Sequence, residues 1–163
     1  NENYFNSANE FDYIVVGYNF RMSSINAAIG ISQIENNFKK NIKKRIEIGK
    51  LLNKELGKCK FVIVPSILKN SDHFFQQYTI RLKKNSLILR DKLKKYLIEK
   101  GISCRVYYEP IHLKTYYKNK YKSKNLKNTE IISKSILTLP IYPEMKNKDI
   151  LYITKNIINF FKN

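Results

Sequence analysis

The side chains best suited to chemistry fall in two short stretches, "GYNFRMSS" at residues 17–24 and "VYYEPIHL" at residues 106–113. In the first, Asn19 stands two positions after Gly17, and its amide offers two N–H donors to an anion. Asn also suits a turn with left-handed geometry, so both readings stay open. Arg21 presents a planar fork of donors that matches a carboxylate or a phosphate. Its plain alternative is a surface ion pair with Glu10 or Asp12. In the second stretch Tyr108 and His112 flank Pro110 at an expected strand end, where loops commonly present binding groups. The alternatives there are an aromatic packed at a strand edge and a loop histidine bonded to backbone.

Charge makes Arg21 stand out. The chain holds 31 Lys and Arg against 13 Asp and Glu, a net +18. Residues 1–38 contain no lysine, one arginine and four acids, a sum of −3, so residues 39–163 carry +21. An arginine isolated in that way reads as a placed charge. The remaining excess has a simple source, since Lys, Asn and Ile are abundant together, as AT-rich codons dictate. Such a surface still attracts anions, including phosphate-bearing substrates. The cluster Lys39, Lys40, Lys43, Lys44 and Arg45 repeats at helical spacing and reads as a solvated face. Tyr116, Tyr117 and Tyr121, interleaved with lysines, could stack bases, grip the nucleotide of a substrate, or do neither, which is the favoured reading. A basic nucleic-acid-binding module is therefore the alternative function. His73, among Ser71, Asp72 and Phe74, reads as a solvated surface histidine.

A chain of 163 residues is about one domain, and 43% hydrophobic content excludes a disordered polycation. Cys59 and Cys104 form no CxxC pattern and have no His at ligand spacing. They read as buried apolar residues of a reducing, cytoplasmic compartment, with no metal site expected. No apolar run approaches the ~20 residues that cross a bilayer.

These residues need positioning elements. Ser23 or Ser24 can cap a helix whose stripe runs through Ile25, Ile29, Ile34, Phe38, Ile42, Ile46 and Leu52 to a stop near Gly57. "KFVIVP", "FFQQYTIRL" and "ISCRVYY" read as strands. "SLILRDKLKKYLIEKG" reads as a helix capped by Ser86 and stopped by Gly101. A basic loop is expected over residues 113–127, then helices at "NTEIISKSIL" and "NKDILYITKNIINFF", separated by the proline-broken "TLPIYPEM". The expected class is α/β with an α+β-like small domain, a small antiparallel or mixed sheet covered by helices. The long helix exceeds what such a sheet can cover, so part of its stripe should pack elsewhere.

"GYNFRMSSINAAIGISQIE" closely resembles a signature of the DegT–DnrJ–StrS-type sugar aminotransferases. "QQYTIRL", "RDKLKKYLIEKGI", "VYYEPIHL" and "ILTLPIYPEM" follow in the family's order, with Glu109 where the family usually has proline. The resemblance implies the C-terminal part of a fold-type I, pyridoxal-phosphate-dependent enzyme that aminates a keto sugar nucleotide, with glutamate as donor. It implies a homodimer whose subunits share active sites, with Asn19 reaching the cofactor phosphate of the neighbouring subunit. Arg21 would hold the donor or the substrate's anionic part, and Tyr108 and His112 would line the sugar-nucleotide pocket. Residues 1–22 would be the tail of the large domain, 23–57 a connecting helix and 58–163 the small domain. The Schiff-base lysine and the aspartate at the pyridine nitrogen are expected upstream of residue 1, so no catalytic residue is assigned and the chain alone should be inactive.

Overall fold

Ser23 starts the longest element. In a computed structural model, which describes residues 17–121 and 125–162, its hydroxyl accepts a bond from the Asn26 N–H at 3.3 Å. Helix α1, Ser24–Leu56, follows for 33 residues with no proline to break it. Its C-terminal third enters the core through Ile48, Gly49, Leu52 and Leu56. The earlier part of the same stripe is open, with Ile25 75%, Ile34 63% and Phe38 52% exposed. The helix does outrun the sheet.

The sheet has three antiparallel strands, β1 (Val62–Ile63), β2 (Tyr78–Leu82) and β3 (Ile136–Leu139), in that order. In the central strand Tyr78, Ile80 and Leu82 face the core, and Thr79 and Arg81 point away from it. Ile80 pairs with Leu137 and Tyr78 with Leu139, which fixes the register. The hydroxyls of Thr79 and Thr138 meet at 2.8 Å across the pair. Helix α2, Leu87–Glu99, is capped by the Ser86 hydroxyl at 3.3 Å from the Leu89 N–H. It ends at Gly101, whose φ of 73° lets the Ile102 N–H reach back to the Leu97 carbonyl at 2.9 Å. Helix α5, Asn147–Phe160, closes the core with Ile150, Ile153 and Ile157 against α1 and α2.

Three expectations need correction. "ISCRVYY" is not a strand, because only Arg105 pairs, bonding Thr138 in both directions at 3.0 and 2.7 Å before the chain leaves the edge. The third strand is β3, inside a stretch expected to be helix and break. Leu137, Thr138 and Leu139 are all buried, so β3 is covered on both faces and shows no alternation. Residues 113–121 are not a plain loop. They contain the end of a 3₁₀ turn, Ile111–Leu113, and helix α3, Thr115–Lys120. Helix α4, Lys127–Ser133, is correspondingly short.

Two polar contacts fasten α1 to the sheet. Arg45 Nη1 donates to the carbonyls of Phe75 and Gln76, both at 3.4 Å, and of Ile141 at 3.2 Å. It therefore does not belong to the solvated face of its lysine neighbours, which are exposed. Asn53 accepts the hydroxyl of the fully buried Tyr78 at 2.6 Å, while burial pushes that phenol far above its usual range. Both cysteines are buried and free, and burial pushes the Cys104 thiol up to about 11.

Candidate functional site

The four candidate residues fall in two places. Asn19 and Arg21 lie on the irregular segment 17–23 ahead of α1, both exposed. They alternate with Tyr18 and Phe20, each 87% exposed. Contiguous exposed aromatics beside polar donors are a feature of interaction surfaces in general. Among the described residues neither lines the cavity beside Tyr108, and Glu10 and Asp12, the alternative partners of Arg21, lie outside the described residues.

Tyr108 and His112 do come together. They line a cavity of about 860 Å³ whose walls are the residue 108–112 segment, α3 with Tyr121, and the start of α4. That volume falls in the range of small-molecule sites, roughly 300–1,000 Å³. The backbone reaches it because β3 takes the sheet edge beyond Arg105, leaving residues 106–110 free of strand pairing. Pro110 is buried and sets the turn into the 3₁₀ segment that carries His112.

A hydrogen bond and an ion pair brace this rim. His112 Nε2 lies 3.0 Å from Glu130 Oε1 on α4, and Lys114 Nζ lies 2.5 Å from Glu109 Oε2. Sequence reasoning missed Glu130: it is 18 residues from His112 and carries no local signal. The hydrogen bond from His112 is the largest influence on its carboxyl, holding it below the usual carboxylate range despite partial desolvation. With Nε2–H donated to that carboxylate, a neutral His112 keeps Nδ1 as an acceptor. Lys114 is buried, so its ion pair with Glu109 compensates an otherwise costly burial.

His73 is exposed, as expected, yet it has a structural task. Its Nδ1 accepts the Phe75 N–H at 3.0 Å and its ring lies 4.4 Å from the Phe75 ring. Arg90, within the "RDKLKKYLIEKGI" stretch, is fully buried; its Nε lies 2.6 Å from Asp91 Oδ1 but makes no aligned hydrogen bond. Among the described residues no three His, Cys, Asp or Glu side chains gather as metal ligands would. No described helix is long and apolar enough to cross a membrane.

Similarity to known proteins covers nearly the whole chain. The "Pleiotropic regulatory protein" of Geobacillus stearothermophilus is 32% identical over 91% of this chain and 39% of its own length. The UDP-4-amino-4,6-dideoxy-N-acetyl-beta-L-altrosamine transaminase of Campylobacter jejuni is 27% identical over 93% and 40%. GDP-perosamine synthase of Escherichia coli O157:H7 is 28% identical over 90% and 38%. Among solved structures, a DegT DnrJ EryC1 StrS aminotransferase from Brucella abortus superposes with a TM-score of 0.74 at 27% identity, over 96% of this chain and 40% of that one. Helicobacter pylori PseC, an aminotransferase involved in the biosynthesis of pseudoaminic acid, reaches 0.80 at 20% identity, over 91% and 40%. This likeness shows the fold, that of a fold-type I aminotransferase. The chain spans about two fifths of the length of the relatives it matches. Residues 2–158 match the family model of the DegT/DnrJ/EryC1/StrS aminotransferase family, and the chain belongs to that family.

Proposed function

We propose that this chain serves a pyridoxal-phosphate-dependent aminotransferase that moves an amino group from glutamate to a keto sugar carried on a nucleotide. Relatives named for UDP- and GDP-linked sugars support that substrate class. The observation that carries the reading is the braced cavity lined by Tyr108 and His112, inside a chain matched to the family from residue 2 to 158. Within the same reading, residues 1–22 end the large domain, 23–57 connect, and 58–163 form the small domain.

Asn19 and Arg21 fit an anionic cofactor by the chemistry of their donors, although they make no enclosed pocket in this chain. Their exposure beside Tyr18 and Phe20 supports delivery across a dimer interface to the partner subunit's site. There the Asn19 amide holds the cofactor phosphate, and the Arg21 fork orients the donor's carboxylate or the substrate's anionic part. Bound pyridoxal phosphate supplies the carrier for the amino group. His112, its Nε2 committed to Glu130, positions the sugar-nucleotide through Nδ1, and Tyr108 covers the pocket.

The test uses the homodimeric, cofactor-loaded protein that contains this chain behind a large domain. Glutamate should convert the cofactor to its amino form, read by absorbance, and a keto sugar nucleotide should reverse that change with an aminated product by mass spectrometry. A loaded protein that ignores glutamate sinks the reading. The 163-residue chain alone should do neither.

A further inference from the structure

The β2–β3 ladder stops where its own register would carry it further. Tyr78 stands opposite Leu139, and the Leu82 N–H donates to the Ser135 carbonyl at 2.8 Å, so every second pair in this register is a hydrogen-bonded one. Two residues beyond Tyr78 and Leu139 the same register sets Gln76 opposite Ile141, where each carbonyl would take the other's amide. The strand instead begins at Tyr78, because Phe75, with a φ of 51°, turns the chain off its line. The carbonyls of Gln76 and Ile141 go to Arg45 Nη1 at 3.4 and 3.2 Å, together with that of Phe75 at 3.4 Å.

A bulky residue in the left-handed region persists only when its surroundings hold it there. Three restraints meet on Phe75. His73 Nδ1 accepts its N–H at 3.0 Å, Arg45 holds its carbonyl, and its ring lies so close over Gly49 that a Cβ there would collide. Arg45 and Gly49 are about one turn apart on α1, and Ile48 is the first buried residue of that helix. The joint therefore stands where α1 leaves the core.

We propose that Arg45 is a positioning residue: it closes the open end of the β2–β3 pair and fixes the direction in which α1 leaves the core, and with it the place of Asn19 and Arg21. Ile48, Leu52 and Leu56 hold α1 down by burial, which has no direction of its own. A planar guanidinium that meets carbonyls on both strand ends supplies that direction. Strand β3 also carries the cavity rim, since its Thr138 pairs with Arg105 just ahead of residues 106–112. Arg45 thus ties both candidate places to one frame. The functional half of the proposal rests on the transaminase reading above.

Spin labels at Asn26→Cys on α1 and Lys148→Cys on α5, both exposed positions, report the distance across this joint in the full chain. Arg45→Met keeps a long side chain and removes every donor. It should shift or broaden the distance distribution by about 3 Å or more, a few degrees of turning in a helix that advances ~1.5 Å per residue, with helical circular dichroism unchanged. Arg45→Lys can hold one strand end but not both, so it should give a smaller change of the same kind, and it takes the place of Arg45→Met if that variant does not fold. In the cofactor-loaded protein with its large domain, Arg45→Met should raise KM for glutamate about tenfold, because Arg21 is misplaced. Lost stability alone would lower kcat with the active fraction and leave KM where it was. An unchanged distance distribution in the folded variants overturns the proposal, and so does a KM that stays fixed while the distribution moves. A native protein that ignores glutamate removes the transaminase reading, and the distances still decide the joint.

Discussion

Glu130 Oε1 sits 3.0 Å behind the Nε2 atom of His112, joining α4 to the 3₁₀ turn across the rim of the cavity. The bond gives the rim a pH dependence whose sign can be worked out. The Glu130 carboxyl is held below its ordinary value of 4.5, so the unfolded chain takes up a proton first as the solution is acidified. The stability it adds is complete above pH 4.5 and fades as pH falls through the folded value. Urea midpoints of the native chain and of Glu130→Gln should therefore converge below that pH. A gap between them that stays constant on acidification would mean the pair contributes nothing through ionisation.

Gly49 supplies a second prediction. A methyl group placed on it would collide with the ring of Phe75, which is completely buried. Alanine in a helix gains ~1 kcal/mol over glycine. Overpacking a core costs ~1–3 kcal/mol, and the ring that must shift is fully buried. Gly49→Ala should thus be net destabilising in chemical denaturation. Unchanged or raised stability would show that the contact relaxes freely.

Cys104 predicts resistance to thiol reagents. Burial raises its thiol to about 11, with Lys94 offsetting part of the effect, so little thiolate exists near pH 8. Native protein should react slowly with a disulfide reagent at that pH, and urea should accelerate labelling sharply. Rapid labelling of both cysteines in the folded state would contradict this burial.

On the proposed reading, Asn19 and Arg21 act across a dimer interface, which the protein carrying this chain behind a large domain can test. Asn19→Ala should weaken cofactor retention, measured by dialysis and absorbance. Mixed dimers with a variant lacking the cofactor lysine should regain part of the activity, and no recovery would remove the shared site. Arg21→Lys should lose about tenfold or more in kcat/KM for glutamate, because the charge remains and the two-pronged geometry does not.

Local signals carried much of the fold. Ser23, Ser86 and Gly101 mark the helix ends they occupy, and the period of isoleucines is enough to define α1. Strand β3 was hidden because both its faces are covered and Pro140 follows it at once, so neither alternation nor composition set it apart. "ISCRVYY" misled for the opposite reason, having strand-forming residues but no free partner beyond Thr138. Arg45 was masked by lysines on either side, and only its reach to three carbonyls separates it from them. The cavity was half legible: Tyr108 and His112 announced themselves around Pro110, while Glu130 meets them through tertiary folding alone.

The anchoring of α1 has a mechanical consequence. From Arg45 back to Ser24 the helix extends about 30 Å, at ~1.5 Å per residue, with no residue buried among the described ones. Tilting it by about 5° around that hinge swings its free tip through about 3 Å, a whole hydrogen-bond length. The position of Asn19 and Arg21 is thus set by the angle at which the Arg45 guanidinium holds the helix on the Phe75, Gln76 and Ile141 carbonyls.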